Sequence, residues 1–113
     1  MVNLWEETLS ELSKHGKTFD EVLFIQGKDF KITKDNFETV AKKTDYYGGY
    51  GSQRVATDIM LVGGGWWLER GEYDGMEWWE YKSIPIEIDK VEYISQLANG
   101  MWDTLKDLNE VVL

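Results

Sequence analysis

Between Asn3 and Gly16 the apolar residues Trp5, Leu9 and Leu12 recur at helical spacing, which predicts a helix over residues 3–15 with those three on its inner face. Asn3 is a good N-cap, and Glu6 follows three residues later, where the partner in a capping box belongs. Lys14 and His15 fall in the last turn, where a cation suits the helix dipole. Gly16 suits the left-handed residue beyond the end. Next come two short apolar runs, residues 22–26 and 29–32, which read as strands joined by a Gly27-Lys28 turn. Thr33 then caps a helix over about residues 34–43 with Phe37, Val40 and Ala41 inward.

Residues 44–54, TDYYGGYGSQR, break all periodicity. Their glycines do not make a phosphate-binding loop, because the Gly-Lys-Ser/Thr ending is missing. Tyrosines on such a loop offer contact area at low entropic cost, so Tyr47 and Tyr50 are candidate recognition residues. The apolar run over residues 55–63 predicts a central strand covered on both faces. Gly63-Gly64-Gly65 turns the chain, and Asp74-Gly75 between two strand-like runs, 66–72 and 76–82, is a strong hairpin signal. Pro85, the only proline, marks the exit from the sheet. Apolar residues from Val91 to Leu108 return to helical spacing, with Asn99-Gly100 splitting the helix they predict. The order is α-β-β-α-β-β-β-α in a single domain over residues 1–113. It predicts an α+β fold with an antiparallel sheet of three to five strands packed with helices.

The hairpin is unusual. GGGWWLERGEYDGMEWWEYK, residues 63–82, holds four of the chain's six tryptophans. A two-residue turn pairs Tyr73 with Met76, Gly71 with Trp78, Glu69 with Glu80 and Trp67 with Lys82. The other face pairs Glu72 with Glu77, Arg70 with Trp79 and Leu68 with Tyr81. Each face then carries aromatic rings and one pair of facing, mutually repelling glutamates. Antiparallel sheets ordinarily separate an apolar from a polar face. Either helices cover parts of both faces, or some of Trp66, Trp67, Trp78 and Trp79 stay exposed as a binding surface.

Charge sharpens the picture. The net charge is −9. Residues 1–57 carry nine acids and eight bases, and residues 58–113 carry twelve acids and four bases, so the second half holds −8 of it. That argues against direct nucleic-acid binding, which needs a clustered cationic surface. It favours a protein partner with a basic surface, met with salt-sensitive attraction. Cysteine is absent, which removes disulfides, thiolate metal sites and thiol nucleophiles and fits a cytoplasmic protein. No apolar run is long enough for a membrane span, and no leader pattern is seen.

Facing glutamates on a hairpin can reach the carboxylate separation of a glycosidase, but no cleft accompanies them, so the expectation is a protein without catalytic activity. No metal spacing of the EF-hand kind is present, His15 has no evident ligand partners, and no cofactor is implied. Tryptophan beside carboxylates also suits saccharides, which gives the alternative of a small-ligand-binding domain.

The run WWLERGEYDGMEWWEY, with YGGYGS (residues 47–52) upstream and MWDTL (residues 101–105) downstream, resembles small proteins encoded by phages and prophages of Gram-positive bacteria, over about residues 30–108. The resemblance implies a cytoplasmic accessory protein in a bacterial host. By class-level analogy it implies one that binds a host protein, including nucleic-acid-handling or defence proteins. The leading expectation is therefore a non-enzymatic, acidic protein-binding module using Trp67, Tyr73, Trp79, Glu72, Glu77, Tyr47 and Tyr50. A self-assembling phage structural component is a further alternative.

Overall fold

The computed structural model describes residues 1–49 and 51–109. A five-stranded antiparallel sheet carries the fold. Its strands are β2 (Phe24–Gln26), β3 (Lys31–Ile32), β5 (Met60–Val62), β6 (Trp66–Tyr73) and β7 (Met76–Ser83), in the order β3-β2-β5-β6-β7. Two helices, α1 (Leu4–Lys14) and α2 (Lys34–Lys42), pack on it. A two-stranded ribbon of β1 (Val2–Asn3) and β4 (Asp45–Tyr46) ties the chain's start to the end of α2. The architecture is α+β, as the periodicities predict.

The helix signals act as expected. Asn3 Oδ1 accepts from Glu6 N at 3.1 Å, and Thr33 Oγ1 accepts from Asn36 N at 3.0 Å, each satisfying an orphan donor of a first turn. Gly16 sits at φ 68°. Its N–H bonds to Ser13 O while Lys17 N bonds to Leu12 O, which together make a Schellman stop. His15 does not simply face solvent at this helix end. Its ring stacks on Tyr81 at 3.9 Å between centroids and lies 3.4 Å from Glu11.

Four expectations are corrected. The buried stripe of α1 is Leu4, Thr8 and Leu12, with Leu9 exposed. The helix is turned this way because Leu4 N bonds to Thr44 O and the Trp79 indole reaches Thr8. In α2, Phe37 and Ala41 are buried but Val40 is not; it borders an open apolar cavity of about 250 Å³ that no element fills. The β2–β3 connection takes four residues, 27–30, with Gly27 N bonded to Phe30 O and Lys28 N held by Asp58 Oδ2 at 2.6 Å. The predicted strand over residues 55–63 is β5 alone, because Arg54 N and Val55 N are captured by Glu77 and Asp58 serves the neighbouring loop.

The core gathers Leu12, Ile25, Phe37, Leu61, Leu68 and Trp79 with their neighbours, and ends at Tyr81. The long C-terminal helix is absent. Among the described residues after Ser83 only α3 (Leu105–Asn109) is helical, opened by a capping box in which Thr104 Oγ1 accepts from Asp107 N and Asp107 Oδ2 from Thr104 N. Helical spacing alone does not sustain a helix; an amphipathic face needs a surface to bury against, and over residues 84–104 every apolar side chain except Ile94 is exposed.

Candidate functional site

The hairpin of β6 and β7 adopts the register its Asp74-Gly75 turn requires, from Trp66↔Ser83 to Tyr73↔Met76. Asp74 and Gly75 take φ 51° and 83°, the doubly left-handed turn that matches strand twist. Glu72 Oε1 accepts from Gly75 N at 3.0 Å and braces that turn.

The two faces of the hairpin are dealt with differently. One lies under α1. There Trp66, Leu68, Arg70, Glu77 and Trp79 are buried, and the polar members form one connected network. Arg70 Nη2 donates to Glu77 Oε2 at 2.9 Å and to Tyr46 Oη at 3.0 Å, while Nη1 reaches Glu7 Oε2 at 3.3 Å. Tyr46 Oη donates to Glu7 Oε1 at 2.7 Å. The guanidinium also lies over the Trp79 ring at 4.7 Å. Trp79 Nε1 donates to Thr8 Oγ1 at 2.9 Å. The side chains of Arg70 and Glu77 are 0% and 1% exposed, so this is a buried pair; both Nη atoms of Arg70 and both oxygens of Glu77 are bonded, and Arg70 Nε alone of the described buried side-chain atoms has no partner. Burial pushes the Tyr46 hydroxyl up to about 12, assisted by its bond to Glu7 and opposed by Arg70. Burial works against the Arg70 charge, but the bond to Tyr46 and the two carboxylates outweigh it and raise its pKa.

The other face is open. Trp67 and Trp78 are half-buried, without a helix over them. Trp67 Nε1 donates to Glu69 Oε1 at 2.7 Å. The Trp78 indole lies over Gly71, where an added Cβ would meet Nε1 at 2.7 Å. The facing Glu69 and Glu80 do not simply repel, because Lys82 Nζ bridges them at 3.5 and 3.8 Å.

The structure thus separates the residues singled out in the sequence into four places. Trp79 and Glu77 belong to the interior and cannot anchor a partner; Glu77 escapes repulsion from Glu72 by turning inward to Arg70. Trp67 is on the open sheet face, toward the Gly63–Gly65 end. Glu72 and Tyr73 are exposed at the distal end of the hairpin, and Tyr47 is exposed on the loop after β4, which is tied to Glu77 through Arg54 N at 2.6 Å. Tyr47 and Arg54 wall a shallow cavity of about 380 Å³ beside the β1–β4 ribbon, with Met1, Thr44, Asp45 and Tyr46. Tyr50 lies outside the described residues. Asp74 and Met76 complete the distal end and were missed, although the turn signal that exposes them was already visible. Among the described residues no three metal-ligating side chains converge, and no helix is long and apolar enough to cross a membrane. Comparison with protein-family models, curated proteins and solved structures finds no match.

Proposed function

We propose that the protein is a non-enzymatic, acidic binding module whose partner is a protein with a basic surface, engaged through the distal end of the hairpin. One observation carries this. Tyr73 stands 75% exposed between Glu72 and Asp74, on a turn held rigid by its own backbone geometry, and neither carboxylate has an ion pair among the described residues. An exposed aromatic anchor flanked by carboxylates whose charge no cation neutralises is the arrangement that gives contact energy and electrostatic steering together. Tyr47, exposed on the loop after β4, is a second aromatic contact for the partner, and the charge of −8 over residues 58–113 extends the field around the hairpin. The resemblance to phage and prophage proteins supports the finer reading: a cytoplasmic accessory protein that occupies the basic groove of a host nucleic-acid-handling or defence protein.

The test is a tagged pull-down from a Gram-positive host lysate at low and high salt, followed by titration of the captured protein. Glu72→Gln with Asp74→Asn is expected to weaken binding and flatten its salt dependence. Tyr73→Ala is expected to cost about 2 kcal/mol, roughly thirtyfold. A salt slope unchanged by the two charge substitutions sinks the steering mechanism.

A further inference from the structure

The chain exposes too much surface for a solitary protein. Its accessible area is 8545 Å², whereas a compact monomer of 13.2 kDa exposes about 6,400 Å². Its radius of gyration is 18.9 Å, against about 13 Å for a compact chain of this length. The excess is about 2,000 Å² per chain, about 4,000 Å² for a pair, which falls in the range of obligate homodimer interfaces. Residues 84–109 hold nine of the large hydrophobic side chains that stand exposed, from Ile84 to Leu105. This segment leaves β7 at Ile84, whose N–H bonds to Gly65 O, and adds nothing to the main core. Ile84, Ile86 and Ile88 alternate with Pro85, Glu87 and Asp89, the period of a strand that buries one face. All three isoleucines are exposed, as are Val91 and Tyr93, and Trp102 is 92% exposed at φ 68°.

A second apolar surface is left uncovered on the same molecule. The face of the sheet away from the helices presents Phe24, Met60, Val62, Trp67 and Trp78 in register across β2, β5, β6 and β7, none of them fully buried. Its charged residues, Lys31, Glu69, Glu80 and Lys82, sum to zero. The segment 84–109 carries five acids and two bases, net −3. In a chain of net −9, this neutral face is therefore a surface that does not repel the acidic segment. Beside it, β7 is an eight-residue edge strand, free of the proline or bulge that blunts such edges.

We propose that residues 84–109 of one copy lie across the open sheet face of a second copy, reciprocally, in a two-fold dimer. A second copy is the occupant that both areas indicate. One chain supplies the unpartnered segment and the unpartnered face, and a reciprocal exchange about a two-fold axis covers both at once. The segment departs beside Trp67 and Lys82, so it begins at the rim of the face it has to reach. Tyr73 and Met76 lie at the end of this face remote from Ile84, where the segment starts, and the carboxylates of Glu72 and Asp74 are not part of it, so the dimer and the charge-steered binding of a basic partner are tested separately.

Sedimentation equilibrium on the full chain tests this, together with amine cross-linking of mixed isotopically light and heavy chains. The expected result is a dimer, with links between Lys90 of one copy and Lys31 or Lys82 of the other. Ile88→Asp with Trp102→Ala changes only exposed side chains and cannot disturb the core. It is expected to weaken dimerisation at least tenfold while leaving the circular dichroism spectrum unchanged. A chain that stays monomeric up to high micromolar concentration overturns the proposal, as do links confined to single copies, which would mean the segment folds onto its own sheet. A dimer indifferent to the double substitution, or association only with a different protein, overturns it too.

Discussion

Arg70 sits on the covered face of the hairpin with its guanidinium out of water, where a charge is tolerated only while Glu7, Tyr46 and Glu77 hold it. Arg70→Met is therefore expected to destabilise the fold by about 3–5 kcal/mol in urea denaturation, because it strands Glu77 uncompensated in the interior. Arg70→Met with Glu77→Leu is expected to recover only part of that loss, because it leaves Arg54 N and Val55 N without the carboxylate they bond to. Tyr46 makes the network pH-sensitive from the alkaline side. Its pKa is pushed up to about 12 from 10.0, so the folded protein keeps a proton that the unfolded chain has lost between those values. The resulting stability is present in full below pH 10 and disappears as pH rises to about 12. Tyr46→Phe has no proton to lose. The stability difference between the native chain and this variant is expected to shrink over that window by about 2–3 kcal/mol, and a difference constant with pH would refute the assignment.

Among the elements, the hairpin is the most firmly specified, and its glycines show how. Asp74-Gly75 sets the register by twist. Gly63 serves a different purpose: a Cβ there would fall 2.2 Å from the Trp66 ring, so the indole closes over bare backbone at the β5–β6 turn. Gly63→Ala is expected to displace Trp66 and cost about 1–3 kcal/mol, the usual penalty for overpacking, visible as a lower denaturation midpoint and altered tryptophan fluorescence. Gly64 is the internal control, since a Cβ there meets nothing within 4 Å and Gly64→Ala is expected to be near neutral.

At the scale of the whole molecule, a core closed by Tyr81 is joined to a segment that spends its apolar residues outside it. Folding of the first part should not need the second. A chain ending at Ser83 is expected to unfold cooperatively, with a melting temperature within a few degrees of the full chain's dissociated form, and to be monomeric in sedimentation. Loss of the cooperative transition in calorimetry would show that the segment completes the fold.

Local signals made most of the elements legible from sequence: the caps Asn3 and Thr33, the stop at Gly16, the Asp74-Gly75 register and the α+β order all depend on a few neighbouring residues. The sequence also located the acidic, aromatic end of the hairpin. It could not say which glutamate of a facing pair turns inward, because that depends on Arg70 meeting Tyr46 and Glu7 from elements far away in the chain. It placed Trp79 on the surface for the same reason, since Thr8, its partner, lies on a helix whose rotation is set by a bond between Leu4 and Thr44. It read a long helix after residue 91, where spacing alone was present and no surface was there to reward it. Periodicity states which residues would share a face; only the assembled fold decides whether anything lies against that face.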